Sequence, residues 1–199
     1  MINSQMIQIK NRIDKLPIGS VFVISDFTDI ADYENAKKCL SRLEKDNAIR
    51  RVIRGIYDKP YFSKLLNEYS APNIEEVAKA IARNYSWEIT PSGSTALNLL
   101  GLSTQVINSY EYYSSGQYKT YMIGKVTIKY MHKSSKELLN LSYKTSLVVQ
   151  AIKSLGTTID NESINKIKVH LSEKEKSTIV REANGVTKWI YEIIKKICA

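Results

Sequence analysis

The sequence predicts an α+β protein: an N-terminal winged helix-turn-helix domain over residues 1–60, a connection at 61–73, and a mixed domain over 74–199 with a small antiparallel sheet and several helices. Three observations predict it. Apolar residues recur at helical spacing on either side of a short β-prone run within the first fifty residues. A basic hairpin pattern follows, and a tyrosine-rich, β-branched block at 109–132 separates it from further helical stripes.

In the first domain, Ile2, Met6, Ile9, Ile13 and Leu16 fall at alternating steps of four and three, which makes an amphipathic helix that Leu16-Pro17-Ile18-Gly19 ends. Val21-Phe22-Val23-Ile24 reads as a short buried strand, and Ser25 as the cap of a brief helix. Asp32 is the candidate N-cap of the next helix, whose apolar stripe is Ala36, Cys39, Leu40 and Leu43. Its opposite face carries Tyr33, Asn35, Lys37, Lys38, Ser41, Arg42 and Lys45, residue types that reach phosphates and base edges when a helix enters the major groove. After Asp46-Asn47, the β-prone run Ile49 to Arg54 meets Gly55 and returns as Ile56-Tyr57, so that Arg51, Arg54 and Lys59 flank a wing. Lys37 to Lys59 holds eight Lys and Arg against Glu44, Asp46 and Asp58. Charge pattern and element order together favour a duplex-DNA contact over an ordinary solvated face.

Ser70-Ala71-Pro72-Asn73 punctuates the chain before a helix with Ile74, Val77, Ala78, Ile81 and Ala82 on its inner face. Trp87 to Thr90 reads as a strand, Pro91 to Ser94 as a turn, and Thr95 to Leu100 as a short helix stopped by Gly101. The strands Ser109 to Tyr113, Tyr118 to Ile123 and Lys125 to His132 are expected to pair antiparallel. Helices dominate from Ser135 onward, with a stripe from Tyr143 to Leu155, a capping box at Ser172 to Glu175, and a last helix carrying Trp189, Ile190, Ile193, Ile194 and Ile197.

The formal net charge of +9 and pI near 9.4 favour a polyanionic partner. The two cysteines, Cys39 on an apolar stripe and Cys198 near the end, fit reduced thiols and a cytoplasmic location better than a disulfide. No apolar run approaches the roughly 20 residues of a membrane span, and no signal-peptide pattern opens the chain. The Lys, Ile, Asn, Ser and Tyr bias resembles an AT-rich bacterial coding sequence.

Enzyme chemistry finds little support. His132 and His170 lack ligands at metal spacing, Gly124-Lys125 lacks the rest of a P-loop, and no nucleophile elbow is present. Ser92-Gly93-Ser94-Thr95, at a turn entering a helix, is similar to the nucleotide-binding loop of nucleotidyltransferases. Those enzymes need paired carboxylates to hold magnesium, and between residues 89 and 136 there is only Glu111. The reading is therefore a non-enzymatic protein with no catalytic residues, metal or cofactor. Tyr110, Tyr112, Tyr113, Tyr118 and Tyr121 offer an alternative, an RNA-interacting sheet on which bases stack.

The recognition helix and wing, followed by TPSGSTALNLLGLSTQV at 90–106, a tyrosine-rich hairpin and VVQAIKSLG at 148–156, resemble the antitoxins of the AbiE type of bacterial abortive-infection system, in their broad AbiEi-like family. The similarity spans roughly residues 5–160. It implies a winged-helix domain that represses its own promoter and a C-terminal domain that counters a nucleotidyltransferase-like toxin without a stable complex, the type IV toxin–antitoxin scheme. The loop Ser92, Gly93, Ser94, Thr95 is the candidate for antitoxin function. A stand-alone transcriptional regulator without a toxin partner is the alternative within the same family.

Overall fold

A computed structural model describes residues 2–134 and 141–199; residues 1 and 135–140, and the side chains of Ile2 and Asn3, lie outside the described part. The protein is α+β, with eight α-helices and several small sheets among the described residues. It divides into two compact units, 1–86 and 87–199.

The first unit opens with α1 (Ile2–Lys15), whose Ile9 and Ile13 are buried and whose Met6 and Leu16 pack against the same core. Strand β1 (Val21–Val23) follows, then a single 3-10 turn, Ile24–Phe27, where a brief helix was expected. Asp26 rather than Ser25 holds that turn, its carboxylate accepting from the Val23 amide at 2.9 Å. Helix α2 (Tyr33–Lys45) leads into β2 (Arg50–Ile53) and β3 (Ile56–Asp58), and the three strands order β1-β3-β2, all antiparallel. One aromatic and aliphatic core, Ile9, Phe22, Phe27, Leu40, Leu43 and Tyr57 among its members, joins the two helices to this sheet.

Residues 61–73, expected as a bare connection, contain a two-stranded hairpin, β4 (Phe62–Ser63) and β5 (Glu68–Tyr69). Helix α3 (Ile74–Asn84), capped by Asn73, then packs on β1 and β3 through a face rich in Val77, Ala78 and Ile81. That packing moves the boundary from 61–73 to the Ser86/Trp87 junction.

The second unit holds β6 (Ile89–Pro91), α4 (Gly93–Leu99), β7 (Ser109–Ser114), β8 (Lys119–Ile123) and β9 (Val126–His132), with sheet order β6-β7-β9-β8. Pro91 sits on an edge strand, where its missing amide does least harm. The sheet is not wholly antiparallel as expected, because β7 and β9 pair in parallel from Ser109↔Thr127 to Ser114↔His132. Ser114-Ser115-Gly116 is not a hairpin turn. The chain leaves β7 there, passes the end of β9, and returns along the far edge as β8, which joins β9 through Gly124-Lys125. Two contacts fix this route: His132 Nδ1 lies 2.8 Å from the Gly116 carbonyl, and a Cβ on Gly116 would stand 2.1 Å from the Trp87 ring.

Helices α5 (Tyr143–Leu155), α6 (Asn161–Val169), α7 (Glu173–Glu182) and α8 (Lys188–Cys198) complete the unit. Ile152, Ile167, Ile179, Ile190, Ile194 and Ile197 share a core with Ala96 and Leu100 of α4 and its cap, so the last helix docks on its own unit. Gly156, at φ 81°, stops α5 in the left-handed region, and Ser172 and Glu175 form the expected capping box at α7. Glu182 reaches back to the start of α5, accepting from the Ser142 amide at 3.0 Å, the Ser142 hydroxyl at 2.7 Å and the Thr145 hydroxyl at 2.5 Å.

Candidate nucleic-acid interface

Helix α2 is specified at both ends and along one face. Asp32 accepts from the Asn35 amide at 2.9 Å, satisfying a first-turn donor that has no partner inside the helix. Asn47, at φ 56°, closes the other end in a Schellman motif, with Asn47 N donating to Glu44 O and Ala48 N to Leu43 O. Ala36, Cys39, Leu40 and Leu43 are all buried, as the stripe requires. Burial also pushes the Cys39 thiol up, which leaves it an inert core group.

The opposite face is exposed at Tyr33, Lys37, Lys38, Arg42 and Lys45 and half-buried at Asn35 and Ser41. These residues are not equivalent. Lys37 lies 3.4 Å from Glu34, and the Asn35 amide turns back to Asp32 Oδ2 at 2.6 Å, so Asn35 reinforces the cap instead of facing outward. Among the described residues none forms an ion pair with Lys38, Arg42 or Lys45.

The β2–β3 hairpin carries the remaining charge. Gly55 takes φ 81° at its turn, with nothing within 4 Å of where a Cβ would stand, so backbone conformation rather than space calls for glycine. A register shift between Arg51 and Ile53 adds local twist to β2. Arg54 is exposed at the tip and forms no ion pair among the described residues, whereas Arg51 reaches Glu44 of α2 at 3.4 Å and ties hairpin to helix.

Lys59 departs from its expected place on the wing. Its ammonium donates to the carbonyls of Asp14 at 2.8 Å and Leu16 at 2.9 Å, capping the C-terminal end of α1, where the helix dipole favours a cation. Arg50, outside the candidate DNA-binding set, has a structural role. It pairs with Asp58, its cross-strand neighbour, and donates to the Ser70 carbonyl at 2.7 Å. The alternation of Arg50 and Asp58 across one hairpin was the available signal.

The Ser92–Thr95 segment is built inward. Ser92 and Thr95 are buried; the Thr95 hydroxyl accepts from the Glu111 amide at 2.8 Å, and the Ser92 amide donates to the Glu111 carbonyl at 2.8 Å. Gly93 lies close against α5: a Cβ there would stand 1.8 Å from Ser154 Oγ, which would have to turn aside, and 3.2 Å from Ser154 Cβ. Ser94 alone of the four is exposed. The segment thus seats α4 between β7 and α5, with its hydroxyls already engaged.

The tyrosines do not share one platform. Tyr112 is buried and stacks with Tyr130, Tyr113 lies on the opposite face of β7 under Lys133, and Tyr118 projects from the turn before β8. Among the described residues no group of three or more His, Cys, Asp and Glu side chains is placed to hold a metal ion, and no helix is long and apolar enough to cross a membrane.

Residues 8–180 match the Family of unknown function (DUF6088), and the chain belongs to that family. No curated protein matches it. Among solved structures it is similar to the RV2827C protein from Mycobacterium tuberculosis, at 10% identity and a TM-score of 0.42, over 98% of this chain and 76% of that one.

Proposed function

We propose that this member of the DUF6088 family is a non-enzymatic DNA-binding protein, with residues 1–60 acting as a winged helix that inserts α2 in the major groove and lays the β2–β3 hairpin along the backbone. One observation carries the reading: α2 buries a complete apolar stripe while Lys38, Arg42 and Lys45 stand exposed without ion pairs among the described residues, next to a hairpin tipped by Arg54. Unpaired cations on a rigid helix are ready to displace the counterions of a phosphate backbone. Tyr33, Lys37, Ser41 and Arg51 border the same surface.

In this reading the protein is an intracellular bacterial autorepressor and antitoxin that opposes a nucleotidyltransferase-like toxin without a stable complex. The antitoxin part is supported by the sequence resemblance at 90–106 and 148–156. The inward-facing Ser92–Thr95 segment favours a second reading, a stand-alone transcriptional regulator, because it leaves little exposed chemistry for a loop of antitoxin function. Fluorescence anisotropy with the chain's own upstream DNA, against a shuffled duplex and a structured RNA at matched salt, tests the DNA reading. Preferential binding of the upstream duplex is the expected result; equal or tighter binding of the RNA overturns it. Co-expression with the product of the neighbouring gene separates antitoxin from stand-alone regulator.

A further inference from the structure

Among the described residues the β4–β5 hairpin is a small sheet that pairs with no other strand, yet it is mounted firmly. Ser70 N donates to Tyr61 O at 2.8 Å across its base, Arg50 holds the Ser70 carbonyl, and the Phe62 and Tyr69 rings meet edge to face with centroids 5.0 Å apart. The Ser63 hydroxyl accepts from the Leu66 amide at 3.2 Å, and Asn67, at φ 51°, shapes the tip. On this frame Leu65 is 94% exposed and Leu66 66% exposed, with Tyr61, Phe62 and Tyr69 about half exposed below them. A stiff, aromatic-rich apolar projection of this kind is the composition of an interface core rather than of ordinary surface.

We infer that this hairpin is the surface through which two copies of the chain associate, a proposal that goes beyond the DNA reading and does not depend on it. The charges beside the tip select the occupant. Lys64 and Glu68 flank the leucines, both exposed and neither in an ion pair among the described residues. A two-fold interface places Lys64 of one copy against Glu68 of the other while the leucines meet on the axis, so the patch is complementary to itself. A nucleic acid fits less well, since its phosphates would face the Glu68 carboxylate. The named side chains of one hairpin are far fewer than the roughly 20–30 residues a side of a standard stable interface, so association is expected in the micromolar range.

Sedimentation of the full chain across roughly 1–100 µM reads this directly. Wild type is expected to shift from monomer to dimer, and L65S/L66S, which alters only exposed side chains, to remain monomeric. K64E is expected to weaken association about tenfold and K64E/E68K to recover it, an exchange that only a self-complementary pair produces. A wild-type chain that stays monomeric throughout, or an L65S/L66S chain that dimerises as well as wild type, overturns the proposal. A monomeric wild type whose L65S/L66S variant loses DNA affinity overturns it too, and makes the hairpin a DNA wedge.

Discussion

Arg50 grips Asp58 with two parallel hydrogen bonds, Nε to Oδ1 at 3.0 Å and Nη2 to Oδ2 at 2.5 Å, around a carboxylate that is 1% exposed. The pair locks β2 to β3, and through the Ser70 carbonyl it also fixes the β4–β5 hairpin. Arg50→Ala leaves the Asp58 carboxylate buried without its partner, and is expected to destabilise the chain by about 3 kcal/mol in urea denaturation. Replacing both residues by Ser and Asn is expected to be milder than Arg50→Ala alone.

Lys38→Glu with Arg42→Glu reverses two charges on the exposed face of α2 without touching its buried stripe. Upstream-DNA affinity is expected to fall at least about a hundredfold, with the circular-dichroism spectrum unchanged. Undiminished affinity at matched salt would remove α2 from the interface.

Arg54→Ala tests the hairpin separately. Loss of a phosphate contact should lower the salt slope of log K by about one and weaken all duplexes alike. Lys59→Ala should instead lower thermal stability with little change in the slope, because that side chain caps α1. A Lys59 variant with a reduced slope and unaltered stability would return Lys59 to the wing.

Gly93→Ala drives a methyl group into Ser154, and is expected to destabilise the chain by about 1–3 kcal/mol. Adding Ser154→Ala removes the closest clashing atom and should recover part of the loss. A Gly93→Ala protein of wild-type stability that fails only in toxin neutralisation would point to a ligand at this loop instead.

Glu182 supplies a pH test. Burial opposes its ionisation, but hydrogen bonds from Ser142 and Thr145 outweigh it and hold the carboxyl below the usual glutamate range. A lowered folded-state pKa stabilises the protein above the unfolded pKa, and that contribution is lost as pH falls through the folded value. Glu182→Gln should therefore lower the melting temperature at neutral pH and narrow its gap to wild type as the solution is acidified below about pH 4. A gap independent of pH would assign Glu182 a packing role alone.

Helix α2 and its hairpin were legible because their signals are local: a cap, a 3.6-residue stripe and a glycine at a tight turn lie within thirty residues. What escaped is non-local. Nothing near Lys59 announces the carbonyls of Asp14 and Leu16, more than forty positions away. Gly93 looks like a phosphate-loop glycine until Ser154 is brought beside it. The strand order failed similarly, because β-propensity finds strands without saying that β9 would slip between β7 and β8. Helix α3 was assigned to the wrong unit because its stripe does not name the sheet it covers.

The insertion of β9 between β7 and β8 also sets an order of events during folding. The two-residue Gly124-Lys125 turn lets β8 and β9 close as a local hairpin on a microsecond scale, whereas the parallel ladder to β7 must wait until that hairpin swings back. Docking of the preformed hairpin would then be the slow step of the second unit, the pattern expected of long-range β pairing. A residue at 124 that disfavours the left-handed turn would act before the barrier, retarding refolding more than it accelerates unfolding.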